Sequence, residues 1–259
     1  MNKPCGTMVS GSRPTVSIIT ITYNAAETLE RTIESVERQD YGAIEYIVVD
    51  GASTDGTMEI VGRHSEIVSK YVSEPDGGIY FAMNKGLAMS TGEYVWFLNA
   101  GDELKESGTV RLMMSKGGRD ADVYYGDTVI TRMDGSEIGK RRLSPPESLT
   151  RDSFRRGMLV CHQAFVARRT ICQPYDTQYR VSADYEWCLS ILERSRNTVN
   201  TGMTLVRFLD GGVTKHNIGL ALRERFVIMS RHFGLASTIV HHIPIAAKFF
   251  WFWATKGWF

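Results

Sequence analysis

The chain lacks most of what would commit it to an oxidised, membrane-spanning or nucleic-acid-binding existence. Its four cysteines, Cys5, Cys161, Cys172 and Cys188, show no Cys-x-x-Cys or metal-finger spacing, which fits thiols kept reduced in a cytosol. Net charge is +1 over 259 residues, so no global field draws it to nucleic acid or to acidic partners. No segment reaches the roughly 20 apolar residues needed to cross a bilayer. The first strand-like run is not followed by Gly-x-Gly-x-x-Gly, and there is no Gly-x-x-x-x-Gly-Lys-Ser/Thr. Dinucleotide and P-loop chemistry are thereby set aside. Met1 to Arg13 has no apolar signal-peptide core and is expected to be a floppy tail.

What is present is ordinary globular composition, 43% hydrophobic and 23% charged. Thr15 to Thr22 is β-branched and apolar, as is Glu45 to Asp50, and both predict buried strands. Between them Leu29, Ile33 and Val36 recur at helical spacing. Further strands are predicted over Ile67–Ser73, Tyr94–Leu98, Asp122–Gly126, Cys161–Val166 and Thr198–Leu209. Asp134-Gly135 marks a hairpin. Helices are expected through Ile79, Met83 and Leu87 (with Asp76 as N-cap), near Thr109–Lys116, from Ser182, and over Leu220–Phe233. The first hundred residues therefore alternate strand and helix, the pattern of an α/β chain with a mostly parallel, Rossmann-like sheet flanked by helices.

The organising stretch is Tyr94-Val-Trp-Phe-Leu-Asn-Ala-Gly-Asp102, a buried strand running into a tight turn that ends on a carboxylate. Open α/β sheets place ligands at the carboxyl ends of their strands. Asp102 there could hold a hard cation with phosphate oxygens, or it could simply cap the next helix. Asp50 ends a second strand, and Asp184 stands in the first turn of the Ser182 helix. Strand ends carrying Tyr23, Asp50 and Asp102 suit a nucleoside diphosphate whose charge a cation offsets.

Five ordered motifs carry a resemblance: Thr15–Asn24, Tyr46–Thr57, Glu74–Gly86, Gly92–Asp102 and Ser182–Trp187. Together they are similar to family 2 glycosyltransferases of the GT-A fold, in particular the bacterial branch building exopolysaccharide or O-antigen units. The resemblance runs from Thr15 to about Thr214. It implies a single GT-A domain over residues 14–217, with a nucleotide-sugar half (14–103), an acceptor half (104–217), and a helical extension over 218–259. It implies inverting transfer of one sugar from a nucleotide-sugar, UDP-linked ahead of GDP-linked, to a saccharide acceptor on a polyprenyl-diphosphate carrier. Mn²⁺ or Mg²⁺ would be held through Asp102, and Asp184 would be the general base. Thr22, Tyr23, Asn24, Asp50, Gly51, Asp76, Asn84, Asn99, Ala100 and Gly101 fall at donor-pocket positions. His162 and Gln163 fall in the acceptor half, where Arg155 and Arg156 are read as diphosphate contacts. Arg168 and Arg169 are weighed for the same task, as are Lys215, His216 and Arg223.

Three departures from that pattern stand out. Gly51 follows Asp50 where a second acid is common, which leaves the base undecided between uracil and guanine. Asn99-Ala-Gly-Asp102 supplies one metal carboxylate rather than two. Ala183 precedes the expected base, and Met83 stands where arginine is common. The thinned metal motif keeps open a non-catalytic nucleotide-binding scaffold as the alternative. A nucleotidyltransferase would begin with a Gly-rich basic loop, which Tyr23-Asn24-Ala-Ala26 is not. No Gln-x-x-Arg-Trp follows Asp184, so a processive synthase is not expected. The aromatic C-terminus, with Phe249, Trp251, Trp253 and Trp258, suits either a helix lying on the inner face of the cytoplasmic membrane or packing on protein.

Overall fold

The computed structural model describes residues 13–117, 120–211 and 217–243. A nine-stranded sheet runs in the order β3-β2-β1-β4-β8-β6-β9-β5, with β7 hairpinned onto β6. Its first half is parallel. β1 (Val16–Thr22) sits between β2 (Ile44–Asp50) and β4 (Tyr94–Phe97), and β3 (Lys70–Ser73) edges β2. Every residue of β1 is buried, which is why its sequence shows no polar alternation: both faces are covered.

The second half is mixed. β8 (Phe165–Arg168) runs antiparallel to both β4 and β6 (Val123–Thr131). β9 (Thr198–Leu209) is parallel to β6, and the two-residue β5 (Glu103–Leu104) is antiparallel to β9. β7 (Glu137–Lys140) is exposed along its length.

Helices α1 (Leu29–Glu37), α2 (Thr57–Arg63) and α3 (Ile79–Met89) are the crossovers of the parallel half. α1 buries Leu29, Ile33 and Val36, the stripe its sequence spacing predicts. α3 packs closely on β1: a Cβ on Gly86 would stand 2.4 Å from Ile19 Cγ2. α4 (Thr109–Gly117), α5 (Ala183–Arg194) and α6 (Ile218–Phe233) follow, and residues 235–243 are again helical.

Two expectations need correcting. Asp76 is not the N-cap of α3: Gly78 holds that position, and Asp76 Oδ1 accepts the Gly78 N–H at 2.8 Å in a local turn. Cys161–Val166 is not one strand. Its apolar run starts as a 3₁₀ turn over His162–Ala164, and pairing begins only at Phe165. No helix among the described residues is long and apolar enough to cross a membrane. The aromatic segment beyond residue 243 lies outside them.

Candidate active site

The site is built outward from the turn after β4. Leu98 N–H donates to Ile19 O at 2.9 Å and Ala100 N–H to Ile21 O at 3.0 Å, so the turn extends the pairing with β1. Gly101 then takes φ +97°, a conformation that favours glycine. Its N–H is held by Thr32 Oγ1 at 2.9 Å, and a Cβ there would lie 2.6 Å from Leu209 Cδ2. Thus α1 and β9 clamp the turn from two sides. Asp102 emerges 3% exposed, with Oδ1 accepting the Leu209 N–H at 2.9 Å. Burial pushes its carboxyl up to about 8. The next helix starts only at Thr109, so the helix-capping alternative for Asp102 falls away.

Asp102 and Asp184 line one cavity of about 510 Å³, together with Asn99, Ala100, His162 and Gln163. Asp184 sits in the first turn of α5, half-buried, with Oδ1 accepting the Tyr80 hydroxyl at 3.3 Å and the Tyr185 N–H at 2.8 Å. Three buried polar atoms on residues lining this cavity have no hydrogen-bond partner: Asn99 Oδ1, His162 Nδ1 and Arg225 Nε. Such atoms are costly unless a ligand or water answers them. His162 Nε2 pairs with the Tyr175 hydroxyl at 2.8 Å. Burial holds its imidazole down to about 4, against the upward pull of the Asp184 charge, so the ring is neutral at pH 7. Beneath it Tyr175 stacks on Trp187 with centroids 4.9 Å apart, a rigid aromatic floor.

At the same sheet edge, the loops after β1 and β2 form a second wall. Thr22 is buried, and its Oγ1 also lacks a partner. Asn24 adopts φ +46°. Its side chain accepts the Thr54 N–H at 2.9 Å, while its own N–H donates to Ser53 Oγ at 2.7 Å. Tyr23 is 66% exposed, an unusual placement for a ring that size. A Cβ on Gly51 would stand 3.2 Å from both Tyr23 Cδ2 and Asp76 Oδ2, so ring, glycine and carboxylate border one slot.

Asp50 is fully buried and works inward. It accepts the Ser53 N–H at 2.9 Å and the hydroxyls of Ser73 and Ser53, which shapes the loop instead of presenting the carboxylate. Asn84 is likewise committed, its amide bridging Tyr175 O at 3.0 Å and Tyr175 N–H at 2.7 Å. Arg155 is a fold contact rather than a diphosphate ligand: it pairs with Asp152, lies over Phe233 and donates to Ser237. Arg156 is exposed and does not line the cavity. Arg168 ties Glu93 to Asp122 across the sheet, and Arg169 donates to Gly92 O. Lys215 and His216 lie outside the described residues, and Arg223 is exposed away from the cavity.

The sequence reading missed Tyr80, Arg180, Glu224 and Arg225. Tyr80 and the two arginines line the cavity, while Glu224 holds the backbone just before Asp184. Tyr80 carried a faint signal, falling inside the Glu74–Gly86 motif. The others are joined only by tertiary packing of α6.

Among the described residues no group of three or more His, Cys, Asp or Glu is arranged to hold a metal ion. Asp102 and the unpartnered amide oxygen of Asn99 nevertheless fit a divalent cation whose remaining ligands are phosphate oxygens and water.

Residues 17–174 match the family model described as glycosyl transferase family 2. The PGL/p-HBAD biosynthesis glycosyltransferase of Mycobacterium tuberculosis is 33% identical over 182 residues, covering 67% of this chain and 68% of that protein. Among solved structures, S. aureus TarS 1-349 in complex with UDP-GlcNAc is similar with TM-score 0.65 at 15% identity, over 89% of this chain and 73% of that one. Mannosyltransferase PcManGT from Pyrobaculum calidifontis, in complex with GDP-Man and Mn²⁺, is similar with TM-score 0.64 at 19% identity, over 95% and 77%. The fold is that of the GT-A glycosyltransferases, and the chain belongs to glycosyl transferase family 2.

Proposed function

We propose that this enzyme moves one sugar, with inversion, from a nucleoside diphosphate sugar to a hydroxyl of a saccharide acceptor in cell-surface glycan assembly. The observation that carries the reading is the shared cavity: Asp102 enters it from the turn after β4 and Asp184 from the head of α5, beside three unanswered polar atoms. The slot bordered by Tyr23, Gly51 and Asp76 takes the base, with Tyr23 offering a stacking face. Asp102 and Asn99 would hold Mn²⁺ or Mg²⁺ beside the diphosphate. When bound, the cation offsets the charge of the departing nucleoside diphosphate. Asp184, steadied by Tyr80, accepts the proton of the acceptor hydroxyl as that oxygen attacks the anomeric carbon. His162, neutral and buried, orients the acceptor through Nδ1. Support for a nucleotide-sugar donor comes from the two fold neighbours bound to UDP-GlcNAc and GDP-Man.

The test is calorimetric titration with UDP and with GDP, each with and without Mn²⁺, beside Asp102→Ala. Manganese-dependent binding of one nucleotide, lost in the variant, is the expected result. Binding of neither nucleotide overturns the donor assignment. Binding that ignores both metal and substitution removes the cation from the reading.

A further inference from the structure

Two arginines line the cavity near Asp184, one of them exposed, and neither is answered by a carboxylate among the described residues. Arg180 precedes Asp184 by four residues, and Arg225 projects from α6; both line the cavity. Among the described residues neither makes a salt bridge, and Arg225 Nε is buried with no hydrogen-bond partner. The Arg225 guanidinium lies 5.6 Å from the centroid of the Tyr185 ring, which keeps it at the head of α5.

Their placement is fixed by Glu224. This carboxylate is 7% exposed and accepts three consecutive backbone N–H groups: Arg180 at 2.7 Å, Val181 at 3.0 Å and Ser182 at 2.9 Å. The backbone of Arg180 is therefore bonded to the residue beside Arg225, and the same clamp runs on to the start of α5. The backbones that carry the two arginines are thus joined beside the head of α5, where Asp184 stands. Arg141, which also lines the cavity, is spent on Met158 O and Leu159 O.

The reading above gives the donor's diphosphate its place at Asp102. We propose that Arg180 and Arg225 form an anion subsite for the acceptor, which carries a phosphate group near the hydroxyl that Asp184 deprotonates. Two guanidiniums on one cavity match the several acceptor oxygens of a phosphate better than they match a single carboxylate. The proposal rests on the glycosyl-transfer reading above, and its test separates the two.

Glucose 1-phosphate and methyl glucoside serve as charged and neutral probes. Each is titrated into the protein alone, and into protein saturated with whichever nucleotide and Mn²⁺ bind. Arg180→Gln, Arg225→Gln and Asp102→Ala are compared, with circular dichroism as the check of folding. The sugar phosphate should bind at least about tenfold more tightly than the glycoside, with nucleotide present or absent. Each arginine substitution should erase that preference while moving nucleotide affinity less than about twofold. Asp102→Ala should leave sugar-phosphate binding in place. Equal binding of the two probes overturns the subsite. Loss of nucleotide affinity in both arginine variants also overturns it, assigning the pair to the donor diphosphate. If no nucleotide binds, the donor reading fails, while the titration of the protein alone still decides the subsite.

Discussion

The Tyr80 hydroxyl lies 3.3 Å from Asp184 Oδ1, joining α3 to the head of α5. Burial first, and the Asp184 charge second, raise the Tyr80 phenol above its ordinary value, so the group stays protonated and can only donate here. Tyr80→Phe keeps the ring that stacks near Tyr175 and removes only the donor. The expected outcome is a fall in kcat of about tenfold with nucleotide affinity unchanged. Asp184→Asn should cost kcat roughly a hundredfold or more, again with unchanged nucleotide binding. Steady-state kinetics beside nucleotide titration checks both. Equal loss of kcat and nucleotide affinity in Tyr80→Phe would mark a packing role instead.

Gly51 explains one departure from the family pattern. A Cβ there meets Asp76 Oδ2 and Tyr23 Cδ2, each at 3.2 Å, so Asp76 already presents a carboxylate beside the position where the resemblance leads one to expect a second acid. Gly51 is not at positive φ, so alanine is tolerated by the backbone. Gly51→Ala is expected to leave thermal stability within about 0.5 kcal/mol of the parent, since the exposed Tyr23 ring can swing aside. Nucleotide affinity should drop several-fold as the slot narrows. Gly51→Asp should lose more, because a second carboxylate would face Asp76. Differential scanning calorimetry with nucleotide titration reads the two effects separately.

The parallel half of the sheet was legible because its strands are covered on both faces: Thr15–Thr22 and Glu45–Asp50 are continuous β-branched runs, and the structure places β1 and β2 there within a residue. The bounds of β9 were read correctly from Thr198–Leu209. The two-residue β5 has no periodicity to read, and the 3₁₀ turn at His162–Ala164 hides inside an apolar run. The places of Asp102 after a strand and Asp184 at a helix start were legible because strand ends and helix starts leave local marks. Asn84 and Arg155 misled for the opposite reason, since their partners are distant in sequence: Tyr175 for one, Phe233 and Ser237 for the other. No local pattern distinguishes Arg180 from the many exposed arginines until α6 is packed against it.

His162 predicts a pH signature of stability. Its folded imidazole titrates near 4, whereas an unfolded histidine titrates near 6.5. Between these values the unfolded chain binds the extra proton, so stability is lost as pH falls through that window and is unaffected above it. The contribution is about 3 kcal/mol across the full window. His162→Gln removes this term, so its melting temperature should fall less than the parent's between pH 7 and pH 4.5, whatever its absolute stability. Parallel slopes for the two proteins would show that the imidazole is not held neutral in the fold.

Glu224 is the strongest test of how far the site depends on residues beyond the family match at 17–174. Its carboxylate is the shared acceptor for the N–H groups of Arg180, Val181 and Ser182, all directly before the first turn of α5. Glu224→Ala leaves these donors facing a small cavity, which is expected to cost about 2–4 kcal/mol of stability. Glu224→Gln keeps one acceptor oxygen but turns an NH₂ toward the same donors, so its cost should be smaller. The turn bearing Asp102 is held by α1 and β9, and the hydrogen bonds that hold it do not involve Glu224. Manganese-dependent nucleotide binding in Glu224→Gln should therefore match the parent, while kcat falls as the head of α5 loosens around Asp184. Loss of nucleotide binding in that variant would show instead that the two walls of the cavity are coupled through α6.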